Sequence, residues 1–217
     1  MKINNLGKKN TILNDFISQI RDINIQNDSL RFRRNIERIG EIFAYEISKE
    51  LDYIEKSVST PFEKFTQLLI EKKPVLITLL RAGLPFQQGF LNYFDDSNCA
   101  FISAYRHNTD AHNFDIKMEY VSMPCVDDRV VIISDPMIAS GKSMVLALEE
   151  ILKRGTPKHI HIAGIIVSSK GKNYLEEHIT FKNCTLWLGA EDRKLNKNSY
   201  IIPGLGDAGD LAYGKKN

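Results

Sequence analysis

The chain has 217 residues, 43% of them hydrophobic and 26% charged, and its 29 basic and 27 acidic side chains leave a formal charge of +2. That is the composition of a soluble globular chain able to bury a substantial core in one domain, residues 1–217. The near-balance of charge gives no reason to expect nucleic acid or a membrane surface as partner. No apolar run approaches the roughly 20 residues that span a bilayer. Met1 to Leu6 is polar where a secretory signal would be apolar. The three cysteines, Cys99, Cys125 and Cys184, form no CxxC pair, so reduced thiols and a cytoplasmic setting are expected.

Residues 1 to about 27 read as an N-terminal helical arm. Phe32, Ile36, Ile39, Phe43 and Ile47 then recur at helical spacing, with Asp28 or Ser29 to cap the start. Arg31, Arg33, Arg34 and Arg38 crowd this helix but alternate with Glu37, Glu41 and Glu46, which favours a solvated face over an RNA-binding one. Val75–Leu80 is an unbroken apolar run of strand length, and a helix through Phe90 and Tyr93 follows. Ala100–Tyr105 is a second strand, and residues 106–116 form a polar loop or a two-stranded arm closing at Tyr120. Val130–Ile133 is a third strand, and Gly141–Arg154 a helix stopped by Gly155 and Pro157. His159–Val167 and Thr185–Leu188 complete the set, with His159 and His161 as structural residues. Apolar runs without alternation, separated by helices, predict a mostly parallel sheet covered on both faces. Ligands bind beyond the carboxyl ends of such strands, which singles out Arg81, Arg106 and Asp135.

The stretch Val130 to Ser143 delivers an acid, Asp135, from a hydrophobic strand, and a loop of small residues then enters a helix. Unpaired N–H groups and the helix dipole make such a helix start an anion site, and Ser140 and Ser143 can add hydroxyl donors. Gly141-Lys142-Ser143 looks like the end of a triphosphate-binding Gly-x4-Gly-Lys-Ser loop, but Pro136 stands where that loop needs glycine. Proline offers no N–H and locks the backbone, so the triphosphate reading fails.

The remaining pattern, four apolar residues, an acid and a hydroxyl-bearing loop, resembles the phosphoribosyl pyrophosphate (PRPP) motif of the type I phosphoribosyltransferases. Within them, Asp135-Pro136-Met137-Ile138-Ala139-Ser140-Gly141-Lys142-Ser143 is similar to the signature of the uracil phosphoribosyltransferase family. Leu80-Arg81-Ala82-Gly83-Leu84 resembles its pyrophosphate-contacting segment, and Tyr200 to Asp210 its uracil-binding segment, about residues 200–211. The three blocks fall in the family's order over a resemblance running from about Phe32 to Gly214.

The resemblance implies a type I phosphoribosyltransferase-like α/β fold, with a central mostly parallel sheet flanked by helices, a small β-arm or hood and N-terminal helices. It implies transfer of the 5-phosphoribosyl group of PRPP to uracil, giving UMP and pyrophosphate, with Mg²⁺ bound mainly through PRPP and no dedicated metal-ligand residues. Asp135 to Ser143 would hold the PRPP sugar phosphate, Asp135 on the ribose hydroxyls and the loop N–H groups on the phosphate. Arg81 would meet the pyrophosphate, joined by Arg106 from a mobile arm at about 104–122. Ile201, Gly206, Asp207 and Ala208 would contact uracil, with Asp207 also on the PRPP side. Asp135, Arg106 and Asp207 are thus the expected catalytic set, while His107 and His112 in the arm are given no role.

The sequence departs from the family at Ser140 for threonine, Lys142 for glycine, Ser122 for lysine and Leu211 for a basic residue. Lys142 puts a side chain beside the loop, adding charge or crowding the site. The resemblance also suggests a homodimer or larger assembly, with the apolar N-terminal helix face as a candidate interface. The alternative function is a PRPP-binding regulatory protein of pyrimidine genes that binds RNA on the same fold.

Overall fold

The computed structural model describes residues 1–108 and 114–215, and for 104–108 and 114–119 the backbone course only. In chain order, β1 (Lys2–Asn5) leads through a 3-10 turn to α1 (Leu13–Arg21) and α2 (Ser29–Ser48). A hairpin, β2 (Tyr53–Ser59) and β3 (Lys64–Ile70), precedes β4 (Val75–Leu80) and α3 (Leu84–Leu91). Then come β5 (Cys99–Asn108), β6 (Phe114–Ser122), β7 (Val130–Ile138) and α4 (Lys142–Leu152). The chain closes with β8 (His159–Ser168), α5 (Ser169–His178), β9 (Cys184–Asp192), β10 (Lys194–Leu195), β11 (Ile201–Ile202) and α6 (Ala208–Tyr213).

Seven strands form one sheet in the order β1-β9-β8-β7-β4-β5-β6, and every pairing is parallel except β5 with β6. From β4 the chain builds outward through β5, whereas β7, β8 and β9 build the other way, so the topology switches between β4 and β7. A crevice opens at the carboxyl ends of strands at such a point.

Alternate residues of the central strands face opposite sides. Leu76 and Ile132 join a core with α1, α2, α3 and α6; Val75, Ile77, Val131 and Ile133 join a second core with α4 and α5. This two-sided burial explains why these strands read as unbroken apolar runs.

The Asp28 carboxylate accepts the Arg31 N–H at 3.0 Å and caps α2. Phe32, Ile36, Ile39, Phe43 and Ile47 are all no more than 1% exposed, each contributing about 1.5–3 kcal/mol of burial free energy. Phe43 meets Phe86 of α3 edge-on at 5.2 Å between ring centroids. The apolar face expected as an oligomer interface is therefore occupied within the chain.

The helical-arm expectation also changes at its start. Lys2–Asn5 pairs in parallel with Thr185–Leu188 as an edge strand, and the α-helical part of the arm is α1. The β7 strand continues past Ile133 to Ile138, so the segment expected as loop is mostly strand. Its register pairs Asp135 with Gly164 and Met137 with Ile166, and pairing with β4 has already stopped at Ser134. Pro136 falls at a gap in the β7–β8 register and beyond the end of the pairing with β4, where its missing N–H is tolerated. His161 is structural as expected: the Trp187 indole N–H donates to its Nδ1 at 3.1 Å, and burial pushes its pKa down to about 3. In the polar stretch after Tyr105, the described residues 106–108 and 114–116 pair as two antiparallel strands, with Arg106 opposite Ile116.

Candidate active site

At the end of β7 the chain crosses Ala139–Gly141 and enters α4. Gly141 takes φ +80°, a left-handed turn that glycine adopts without strain. No side chain among the described residues caps α4, and the Val145 N–H bonds back to the Gly141 carbonyl. The dipole of α4 favours an anion at this start. A cavity of about 70 Å³ lies here, lined by Asp135, Met137, Ile138, Ala139, Ser140, Gly141, Ser143 and Met144. Pro136 is buried, and the Ile138 side chain, 2% exposed, packs into the core, so Ile138 can offer a ligand only its main chain. Lys142 is exposed and not among the lining residues, so its side chain does not crowd the cavity.

The loop rests on α5. The Ser168 hydroxyl donates to the Ala139 carbonyl at 2.5 Å and accepts the Gly171 N–H at 2.8 Å, capping α5 and pinning the loop with one oxygen.

A second cavity, about 140 Å³, shares Asp135 and Ser143 with the first and adds Leu79 to Ala82, Asp207 and Gly209. Four expected polar residues, Arg81, Asp135, Ser143 and Asp207, thus surround one space at the sheet's switch point. The Asp135 carboxylate accepts the Met137 N–H at 3.0 Å, yet burial outweighs that bond and pushes its pKa up to about 7. Arg81 follows β4 across a cis Leu80–Arg81 peptide. Its Nη2 meets Asp210 Oδ1 at 3.2 Å, while its Nε is buried with no hydrogen-bond partner among the described residues. An orphaned guanidinium N–H is costly unless something accepts it, and a phosphate oxygen is such a group.

Asp207 caps α6, accepting the Asp210 N–H at 2.9 Å. The segment before it turns through a cis Ile202–Pro203 peptide and a left-handed Gly206 at φ +95°. Ile201 and Ala208, 4% and 3% exposed, send their side chains into the core, so their part in any contact is through the main chain. Neither they nor Gly206 lines the two cavities. The side chains of Arg106 and His107, and all of His112, lie outside the described residues.

Ser168 and Gly171 escaped the sequence reading, and Asp210 entered it only as the end of the C-terminal segment, with no role of its own. The Ser-x-x-Gly spacing of the first two marks an ordinary helix cap, and only the fold shows what the cap touches.

The family model for uracil phosphoribosyltransferase matches residues 8–215. The chain belongs to the uracil phosphoribosyltransferase family. A uracil phosphoribosyltransferase of Porphyromonas gingivalis is 52% identical over 216 residues, covering 100% of both chains. One from Thermococcus gammatolerans is 36% identical over 203 residues, 92% of this chain and 88% of its own. A solved structure from Aquifex aeolicus superposes with a TM-score of 0.86 at 28% identity, covering 98% of each chain. A hypoxanthine-guanine phosphoribosyltransferase of Bacillus anthracis, at 13% identity and a TM-score of 0.50 over 74% of this chain and 81% of its own, shares the fold. The expected type I phosphoribosyltransferase architecture is therefore present, and in this family's chain the three sequence blocks converge on one crevice.

Proposed function

We propose that the protein transfers the 5-phosphoribosyl group of PRPP to uracil, forming UMP and releasing pyrophosphate. The observation that carries this reading is the convergence of Arg81, Asp135, Ser143 and Asp207 around one cavity that adjoins an uncapped helix start. In the reaction the bond from sugar C1 to pyrophosphate oxygen breaks, the bond to uracil N1 forms, and N1 gives up its proton. Positive charge grows on the sugar and negative charge on the leaving group.

The α4 N–H groups with the Ser140 and Ser143 hydroxyls hold the 5-phosphate, and Met137 to Gly141 shape its cradle. Asp135 accepts from the ribose hydroxyls, and as a carboxylate it favours the charge on the sugar. Arg81, with its unpartnered Nε, takes the pyrophosphate, and Arg106 approaches it from the β5–β6 arm. Uracil meets main-chain groups of Ile201 and Gly206 to Ala208, and Asp207 sits between base and sugar. Mg²⁺, bound mainly through PRPP oxygens, would supply charge neutralisation at the departing pyrophosphate, with Asp135 and Asp207 as the carboxylates of the central cavity that would face it.

The RNA-binding alternative loses ground because the arginines of α2 are engaged within the chain. Arg31 bonds Gln19, Arg33 the Ala212 carbonyl, Arg34 Glu37 and Arg38 Asn35. No helix among the described residues is long and apolar enough to cross a membrane, and the free cysteines suit the cytoplasm. A homodimer or larger assembly would cover the β2–β3 hairpin, which exposes Phe62 at 98%, Phe65 at 54% and Leu68 at 56%.

The test is pyrophosphate release from PRPP and Mg²⁺ with a panel of bases. Release with uracil and not with cytosine or purines is expected. No release with uracil sinks the reading, and RNA binding without turnover transfers it to the regulatory alternative.

A further inference from the structure

We propose that Arg21 and Asp192 are positioning residues for the acceptor base, holding the peptide groups of Gly204 so that the 201–208 segment presents its main chain in register with the sugar. This rests on the reading of that segment as the base site.

Arg21 is the last residue of α1 and Asp192 the last of β9. The guanidinium forks onto the carboxylate, Nη1 to Oδ2 and Nη2 to Oδ1, both at 2.8 Å. Nη1 also donates to the Gly204 carbonyl at 2.8 Å, and the Gly204 N–H donates to Asp192 Oδ2 at 2.8 Å. One buried ion pair thus engages both polar groups of a single residue midway between Ile201 and Ala208. Asp192 is 5% exposed and the Arg21 side chain 21%. The Arg21 main chain is fixed in turn, because Gln26 Nε2 donates to its carbonyl at 2.8 Å.

A buried pair of this kind adds little to stability over apolar packing of equal volume, because desolvation offsets the attraction. What it supplies is geometry. The segment already has apolar anchors in Ile201, Leu205 and Ala208, each no more than 4% exposed. Those anchors set its depth, but apolar contact is non-directional and leaves the tilt of the intervening peptides loose. The fork fixes that tilt, since bidentate pairing constrains angle as well as distance. Uracil is small and read by main-chain donors and acceptors, so its alignment depends on those peptides.

The test compares Arg21→Lys, which keeps charge but cannot fork, with Asp192→Asn, which keeps shape but loses charge. Steady-state constants are measured for uracil and PRPP separately on the full chain, beside a melting curve. Gly206→Ala, a Cβ in open space at φ +95°, is the benchmark for the segment itself. Both clamp variants should raise KM for uracil by about tenfold or more, approaching the roughly hundredfold loss of a 1 Å misplacement, with KM for PRPP little changed. Equal rises for both substrates, or an unchanged uracil KM, overturn the proposal. If Arg21→Lys fails to fold, Asp192→Asn decides alone. A uracil effect from Gly206→Ala without one from the clamp variants sinks only the clamp. No effect from any of the three sinks the base-site reading with it.

Discussion

Replacing Gly171 by alanine should damage PRPP binding far more than folding. Gly171 is the third residue of α5, and a Cβ there would lie 2.6 Å from the Ala139 carbonyl oxygen and 2.9 Å from that of Ile138. Ordinary contact begins near 3.4 Å, so helix and loop must part by about 0.8 Å. The helix is held by Leu175, which is fully buried in the core, so the short Ala139–Gly141 crossing is the part that gives. Overpacking costs about 1–3 kcal/mol, and the better helix propensity of alanine returns at most about 1 kcal/mol. The net loss of about 0–3 kcal/mol lowers Tm by about 0–12 °C in a chain of this size. A shift approaching 1 Å in the phosphate cradle costs up to about a hundredfold in rate. Pyrophosphate release under saturating uracil should therefore show kcat/KM for PRPP reduced about 10- to 100-fold, with the uracil KM little changed. A folded variant that keeps kcat/KM for PRPP within about twofold of the parent refutes the idea that α5 sets the shape of the loop.

Asp135→Asn should abolish most turnover and yet raise thermal stability at alkaline pH. Burial holds the Asp135 carboxyl at about 7, so the folded protein binds its proton more tightly than the unfolded chain does. The stability contribution is fully present below the unfolded value near 3.8 and is lost as pH rises through about 7. The asparagine variant should melt above the parent at pH 8 and approach it at pH 5; the same gap at both values would exclude burial of the ionised carboxylate as the cause. The same titration predicts that parental kcat/KM for PRPP falls as pH drops through the neutral range, a fall the asparagine variant lacks. Arg81→Ala should weaken product inhibition by pyrophosphate at least about tenfold, as expected for one lost charge-assisted contact, with Tm close to the parent because its Asp210 partner is half-exposed. Arg106→Ala should lower kcat/KM for PRPP by a similar factor without unfolding; full activity would remove Arg106 from the site.

What could be read in advance divides along physical lines. The α2 helix and strands β4, β7 and β8 announced themselves because burial against one or two cores writes a period or an unbroken run into the residues. Lys2–Asn5 did not: four mostly polar residues at a sheet edge carry no such signal, and only the parallel partner Thr185–Leu188 makes them a strand. The β2–β3 hairpin was missed for the opposite reason, since its residues are exposed on both faces apart from Ile70 and nothing alternates. Helix α6 has six residues, too few for a period, and starts on the Asp207 cap inside a segment quoted for its resemblance.

The candidate site shows the same division more sharply. Asp135, Ser140 and Ser143 could be found because a strand, a turn and a helix start lie consecutively along the chain, so the chemistry is local in sequence. Arg81 needed a strand end, which the apolar run supplied. The Arg21–Asp192 pair left no trace, because its members stand 171 residues apart and an ion pair imposes neither period nor composition on its neighbours. Its arginine lies in the polar N-terminal stretch that looked like an appendage. The sheet order puts β9 two strands from β7, and Arg21 at the end of α1 reaches the end of β9, which brings the appendage against Gly204. Residues that touch ligand inherit a local pattern from the loop they sit on. Residues that hold the loop in place are drawn from wherever the topology delivers a side chain, and only the fold identifies them.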